Sequence, residues 1–242
     1  MTKEIKRPGG EMAKRPLNFF WVVDCSGSMT GDKIAKVNYA IQSTIPDMQQ
    51  AAADNTNAQL LIQSMKFSTG ATWMTSQPVK IEDYTWTDLT ASGVTELGKA
   101  FDLLAGQLTI PPMSERALPP VIVLLSDGQP TDQYKANLDR LLNLPWGRKA
   151  VRIAIAIGND ADREVLAEFT GNRELVLEAN NPQALVAMIK WASTVAKQVS
   201  SPASRRSVEG TEITSVNTPI TTTPVTIDLN IPDDFNGNED IW

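Results

Sequence analysis

Histidine is absent from the 242-residue chain, and cysteine occurs only once. Without histidine, the chain cannot form a Ser-His-Asp or Cys-His catalytic arrangement, nor a zinc site that contains histidine. A single cysteine also excludes an internal disulfide. A metal bound by this chain would therefore have oxygen ligands, and such ligands favour a hard cation.

Long apolar segments and a basic face are also missing. No uninterrupted apolar run approaches the roughly 20 residues that span a bilayer, and the polar N-terminal sequence has no apolar core of a secretory signal. The net charge of −6 is unsuited to binding nucleic acid. We therefore expect a cytoplasmic protein whose partners are neither membranes nor nucleic acids.

Composition divides the chain into three parts. Residues 1–16 are polar, with five basic and two acidic residues. Residues 201–242 are rich in Thr, Ser, Pro and Asn, and they contain two basic and seven acidic residues. The regular apolar patterns lie within residues 17–200. We expect one globular domain there, between a polar N-terminal extension and an acidic C-terminal tail.

Strand and helix patterns alternate within residues 17–200. Continuous apolar runs at 19–23, 121–125 and 151–157 are typical of strands buried on both faces of a parallel sheet. A hairpin over 60–81 and an edge strand at 174–177 complete the predicted sheet. Helical spacing of apolar residues predicts helices over about 33–53, 97–108, 134–142 and 162–169 and from 182 onward, with Pro46 kinking or shortening the first. The predicted fold class is α/β: a doubly wound, mostly parallel sheet with one antiparallel edge strand, flanked by helices.

The tail contains one regular pattern. Val225, Ile227, Leu229 and Ile231 alternate with polar residues, which is the period of a strand. Three interpretations remain open: an extra edge strand on the domain's own sheet, a strand or terminal anchor donated to a partner, or a disordered tail. The second interpretation makes Trp242, at the end of the sequence, a candidate for partner contact.

Oxygen-bearing side chains follow two of the predicted strands. Asp24, Ser26 and Ser28 come directly after the first, and Asp127 follows the strand at 121–125, whereas Thr95 precedes a helix. Because ligands bind outside the carboxyl ends of the strands in such sheets, we expect these five side chains to converge. Two carboxylates and three hydroxyls suit Mg²⁺ and leave one coordination position open for a partner's carboxylate. Two alternatives are that these are ordinary turn and capping residues, or that a metal binds but no partner uses it.

This pattern of Asp-x-Ser-x-Ser, a later Thr and a later Asp resembles the metal-ion-dependent adhesion site of von Willebrand factor A domains, over residues 17–200. Within that family, the segments DCSGSM, ASGVTELGKAFDLL and LLSDGQPTD are similar to bacterial TerY-like proteins of tellurite-resistance and stress operons. The resemblance implies Ser26, Ser28 and Thr95 as hydroxyl ligands of Mg²⁺, or of Mn²⁺ or Ca²⁺. Asp24 and Asp127 would act directly or through water. It also implies a protein kinase or a PP2C-type phosphatase as partner, in a stress or phage-defence setting.

The function that these patterns favour is a metal-dependent protein-binding adaptor and not an enzyme. Candidates for partner contact border the expected metal: Met29, Thr30, Gln129, Pro130 and Thr131. One alternative is a structural subunit that binds through its tail. A remote alternative is a metal-assisted phosphohydrolase, which needs a general base from among Asp24, Asp127 and Asp132.

Other conspicuous residues have simpler interpretations. We expect Asp132 to be the N-cap of the helix over 134–142, and Cys25 to be an inert buried thiol. Trp73, Tyr84 and Trp86 form either core packing or a recognition surface, and the sequence leaves that choice open.

Overall fold

The computed structural model describes residues 14–179 and 183–189. Seven strands form one sheet within these residues: β1 (Arg15–Asp24), β2 (Ala58–Ser68), β3 (Gly70–Trp73), β4 (Val79–Lys80), β5 (Val121–Ser126), β6 (Val151–Ile157) and β7 (Val176–Ala179). Their order is β3-β2-β1-β5-β6-β7, with β4 also beside β2. Five strands are mutually parallel, and β3 and β4 are antiparallel to β2.

Helices connect and cover the strands: α1 (Asp32–Ala53), α2 (Leu97–Gln107), α3 (Tyr134–Asn143), α4 (Pro145–Lys149) and α5 (Arg163–Thr170). Residues 183–189 are also helical. No helix among the described residues combines the length and the apolar composition needed to cross a membrane.

The apolar core lies on both faces of the sheet, as the continuous apolar strands require. On β1, the side chains at positions 17, 19, 21 and 23 pack on the face covered by α1 and by residues 183–189. Phe20 and Val22 point to the other face and pack with residues of α2, α3, α4 and α5. Helices therefore cover both faces, which is the doubly wound arrangement predicted from the sequence.

The strand order reverses between β1 and β5. From β1 the chain crosses over through α1 to β2 on one side, whereas from β5 it crosses to β6 and β7 on the other side. The carboxyl ends of β1 and β5 diverge into separate loops at this point, and open α/β sheets bind their ligands in such a crevice. Asp24 and Asp127 lie at these two strand ends.

Several details differ from the sequence-based expectation. Helix α1 continues through Pro46 without interruption to Ala53, because buried residues on both sides of the proline hold it against the sheet. The antiparallel edge consists of two short segments, β3 and β4. Strand β7 begins two residues later than expected, since Arg173–Leu175 form a 3₁₀ turn. The N-terminal extension up to residue 13, the part of the predicted last helix beyond residue 189 and the tail lie outside the described residues.

The aromatic residues before Thr95 serve packing. Tyr84 is buried, and its hydroxyl hydrogen-bonds with that of Ser64. Trp86 packs against the core and donates its indole N–H to Asn38. Trp73 is partly buried against the other core face. These contacts favour the packing interpretation over a recognition surface.

Candidate functional site

Asp24 ends β1 and is fully buried. Its Oδ1 accepts a hydrogen bond from the main-chain N–H of Ser26 at 2.8 Å, and its Oδ2 accepts one from the hydroxyl of Ser126 at 2.6 Å. Burial raises the pKa of the Asp24 carboxyl above its ordinary value, and the nearby charge of Asp127 adds to the rise, while the two hydrogen bonds oppose it. Asp24 therefore ties the loop after β1 to the end of β5.

The loop after β1 presents two hydroxyls. It forms a 3₁₀ turn over Gly27–Met29, and the Oγ atoms of Ser26 and Ser28 lie 3.0 Å apart. Ser26 is buried, whereas Ser28 is exposed. The hydroxyl of Thr30 donates to the carbonyl of Gly27 at 2.6 Å and closes the turn. One hydroxyl of the pair thus faces the interior of the site and the other its surface.

A second loop, over residues 91–95, is joined to the first by main-chain hydrogen bonds. The N–H of Gly27 donates to the carbonyl of Gly93 at 2.9 Å, and the N–H of Ser92 donates to that of Cys25 at 2.7 Å. Gly93 has a φ of 83°, which favours glycine, and a Cβ there would lie 2.5 Å from the Thr69 hydroxyl. These hydrogen bonds therefore hold the two loops together.

Thr95 is buried between these loops and the loop after β5. Its N–H donates to the Thr131 hydroxyl at 3.2 Å, and its carbonyl accepts from the Thr131 N–H at 2.8 Å. The next acidic residue, Asp132, accepts from the N–H groups of Gly98 and Lys99 in the first turn of α2. Asp132 is thus a capping residue, as expected, but of α2 and not of α3, because the loop after β5 crosses the start of α2.

Asp127 is the unusual residue of the site. It is fully buried, and neither carboxylate oxygen has a hydrogen-bond partner among the described residues. The nearest cation there is Lys33, whose Nζ lies 3.9 Å from Oδ2. Buried carboxylates are costly unless they are paired or bind a metal. The side chain of Asp127 therefore fits a cation ligand better than a turn residue.

Hydrogen bonds join the loops that carry the five predicted residues, at the point where the strand order reverses. Asp24 and Asp127 end adjacent strands, and hydrogen bonds link the loops of Ser26, Ser28 and Thr95 to them. The donors are two carboxylates and three hydroxyls, which are the oxygen ligands that Mg²⁺ and Mn²⁺ accept. The described residues contain no cluster of three or more His, Cys, Asp or Glu side chains that could hold a metal.

A family model for the von Willebrand factor type A domain matches residues 19–191, which is most of the chain. The chain belongs to this family. A comparison with curated proteins gives no match. Domains of this family, abbreviated VWA, are commonly protein-interaction or adhesion modules.

Solved structures have the same fold at low sequence identity. The pilus adhesin SpaC of Lactobacillus rhamnosus GG is 14% identical, with a TM-score of 0.61, and the match covers 78% of this chain and 31% of the adhesin. This VWA chain thus spans about a third of that protein's length. The ArnB paralog VWA2 of Sulfolobus acidocaldarius is 20% identical (TM-score 0.53; 77% of this chain, 46% of that one). The manganese-loaded TRAP protein of Plasmodium vivax is 21% identical (TM-score 0.53; 74% of each).

The predicted partner contacts of the VWA domain are not equally accessible. Thr30, Gln129 and Thr131 are exposed beside the site. Met29 is fully buried, so the expectation that it contacts a partner is wrong: the 3₁₀ turn directs its side chain into the core. Trp242 lies outside the described residues.

Sequence reasoning missed four participants around these loops. Ser126 links Asp24 to the N–H of Gly128 through its hydroxyl, at 2.6 and 2.8 Å. Val94 is an exposed apolar residue beside Thr95. Lys33 and Asp160 form an ion pair of 2.9 Å next to Asp127. Ser126 could have been found from its place beside Asp127, whereas nothing in the sequence relates Lys33 to Asp160.

Cys25 is expected to be chemically inert in the native protein. It is 3% exposed, and burial, with the charge of Asp24, raises the pKa of its thiol to about 12, although Lys66 opposes the rise. Because the thiolate is the reactive form, alkylation by iodoacetamide at pH 8 should be slower by on the order of 10³-fold than in the unfolded chain. Mass spectrometry of the alkylated protein, in buffer and in urea, measures both rates. Equal rates would contradict the burial of this thiol.

Proposed function

We propose that this VWA domain is a metal-dependent protein-binding adaptor and not an enzyme. The observation that carries the proposal is the fully buried Asp127 carboxylate with no hydrogen bond to either oxygen among the described residues. A buried charge of this kind lowers the stability of the fold unless a cation compensates it. Its position where the strand order reverses therefore supports cation binding.

The proposed ligands are Asp24, Ser26, Ser28, Thr95 and Asp127, arranged as a metal-ion-dependent adhesion site. The hydroxyls would hold the cation without neutralising it, and Asp24, whose two oxygens accept hydrogen bonds, would mainly fix the loop after β1. A bound Mg²⁺ supplies positive charge and a coordination position for an acidic side chain of the partner. Mn²⁺ and Ca²⁺ are alternatives, and a solved VWA neighbour that is manganese-loaded supports a divalent ion.

Four uncharged side chains border this position, in addition to the Lys33–Asp160 ion pair. Thr30, Gln129 and Thr131 present polar side chains, and Val94 presents an apolar one that is 46% exposed. A partner segment with an acidic side chain next to an apolar one would match this rim. Its carboxylate would face the cation, and its apolar neighbour would pack on Val94.

The proposed setting is a cytoplasmic stress or defence system of bacteria, with a protein kinase or a PP2C-type phosphatase as the partner. This part rests on the similarity of the segments DCSGSM, ASGVTELGKAFDLL and LLSDGQPTD to TerY-like proteins. The phosphohydrolase alternative is less favoured, because Asp132 accepts two N–H groups of α2 and serves there as a cap. The name of the pilus adhesin neighbour supports an interaction role.

The decisive experiment is a pull-down from native lysate with the wild type and the Asp127→Ala variant, each in Mg²⁺ or in EDTA. We expect the partner to be lost on both mutation and chelation. The matched control is Asp139→Ala, which removes an exposed carboxylate of α3 and should leave binding unchanged. Retention of the partner in every condition would overturn the metal-dependent adaptor.

Deletion of residues 201–242 distinguishes the adaptor from the structural subunit that binds through its tail. The adaptor should retain its metal-dependent partner without these residues. A structural subunit should lose the partner on deletion and keep it in EDTA.

A further inference from the structure

A lysine of α1 lies next to the proposed cation site, between the loops that follow β5 and β6. Lys33 lies in the first turn of α1, and its side chain is only 15% exposed. The Nζ atom lies 2.9 Å from Oδ1 of Asp160, in the loop after β6, and 3.9 Å from Oδ2 of Asp127. The ammonium therefore lies between an exposed carboxylate that it hydrogen-bonds and a buried one that it only approaches.

The backbone around Lys33 is shaped to admit it. Gly158 has a φ of 88°, and a Cβ at this position would lie 2.9 Å from Cε of Lys33, 3.0 Å from Nζ and 2.7 Å from Oδ1 of Asp160. Gln129 donates to the carbonyl of Asp160 at 2.8 Å, and the N–H of Asp162 donates to the carbonyl of Asp127 at 2.7 Å. The lysine is thus held by the same loops that place Asp127.

We propose that Lys33 is a built-in competitor of the divalent cation: its ammonium compensates Asp127 in the metal-free protein and weakens cation binding at that carboxylate. The inference rests on the proposed metal site, but concerns a residue that is not a ligand. A cation on the Asp127 oxygens would share one carboxylate with an ammonium at ion-pair distance, and like charges repel strongly where water is excluded.

Asp160 gives the Lys33 ammonium a partner other than Asp127. Its hydrogen bond with Lys33 lowers the pKa of the Asp160 carboxyl below its ordinary value, so Asp160 is ionised at neutral pH. Because its side chain is 60% exposed, it offers the ammonium a solvated position away from Asp127. Replacing Asp160 with Asn should therefore weaken cation binding, and should do so less when Lys33 is already absent.

The first test measures Mn²⁺ affinity by titration calorimetry on the full chain. Lys33→Met should bind Mn²⁺ at least tenfold more tightly than the wild type. The matched control is Lys36→Met, one turn further along α1, where the lysine pairs with Asp32 at 3.3 Å; this variant should match the wild type. Affinity that is unchanged or weaker in Lys33→Met, with the wild type binding normally, overturns the inference alone. If no variant binds Mn²⁺, the proposed function fails and the inference fails with it.

A second test needs no metal. In EDTA, Lys33→Met should lower the urea midpoint of unfolding, because it leaves Asp127 without a compensating charge. The same substitution in an Asp127→Asn background should lower the midpoint much less. Equal losses in the two backgrounds would show that Lys33 stabilises the fold by packing or through Asp160, and would overturn the proposed compensation of Asp127.

Discussion

Replacing Asp127 with Asn is expected to stabilise the metal-free protein while abolishing its stabilisation by Mg²⁺. The carboxylate is fully buried, its oxygens have no hydrogen bonds among the described residues, and the ammonium of Lys33 is 3.9 Å away. An amide has the same shape without the charge, so the free energy of unfolding in EDTA should rise by about 1–3 kcal/mol. Lys33 keeps Asp160 as its partner in the variant.

The order of stabilities should reverse when Mg²⁺ is added. A ligand at 1,000 times its dissociation constant stabilises a protein by about 4.1 kcal/mol, which exceeds the expected advantage of the variant, and only the wild type should gain this. Urea denaturation followed by tryptophan fluorescence, in EDTA and in Mg²⁺, measures the four values. The control is Asp139→Asn, which removes an exposed carboxylate and should leave the free energy of unfolding unchanged in EDTA and in Mg²⁺. A variant that is less stable than the wild type in EDTA would mean that the Lys33 ammonium compensates the buried carboxylate so well that its charge stabilises the metal-free fold.

The strands that carry the site could be predicted because they are buried on both faces. Such strands are continuously apolar, and this pattern predicted β1, β5 and β6 from the sequence. The ends of β1 and β5 then located Asp24 and Asp127 at one edge of the sheet, since ligand-binding loops follow parallel strands. The short edge strands were harder to place, because β4 and β7 have only two and four residues and little pattern.

Side-chain directions in the loops could not be predicted from spacing. Met29 follows Ser28 in the site loop, yet the 3₁₀ turn sends it into the core. Asp132 precedes α3 in the chain, but its carboxylate caps α2, because the fold brings the start of α2 beside the loop after β5. These outcomes depend on contacts between segments that are distant in sequence.

The position of Lys33 next to the site could not be predicted for the same reason. Lys33 and Asp160 are separated by 127 positions, and they lie together because β1 and β6 pair on either side of β5. No local pattern marks either residue. The proposed ligands can thus be found from motifs, whereas the residues that would adjust their affinity emerge only from the fold.

Substituting Arg152 with Ala is expected to cause a large loss of stability, although this residue is polar and lies outside the site. Arg152 lies on β6 and is partly buried. Its Nε donates to the carbonyl of Phe169 and its Nη1 to that of Gly147, both at 2.8 Å. Its Nη2 donates to the carbonyl of Thr170 at 3.3 Å. The guanidinium thus joins the end of α4 and the C-terminal turn of α5 to the sheet, and its charge suits the negative end of the α5 dipole.

Arg152→Ala would leave these carbonyls without their donor, and the free energy of unfolding should fall by about 3 kcal/mol. Arg152→Lys should recover only part of this loss, because an ammonium cannot reproduce the planar fork that reaches both helices. The matched control is Arg148→Ala on α4, whose exposed guanidinium makes a long 3.5 Å contact with Asn143 and whose loss should cost less than about 0.5 kcal/mol. Urea denaturation in EDTA separates the three variants without any contribution from metal. If Arg152→Ala were no less stable than Arg148→Ala, water would have replaced the guanidinium, and the attachment of α4 and α5 would rest on their apolar contacts alone.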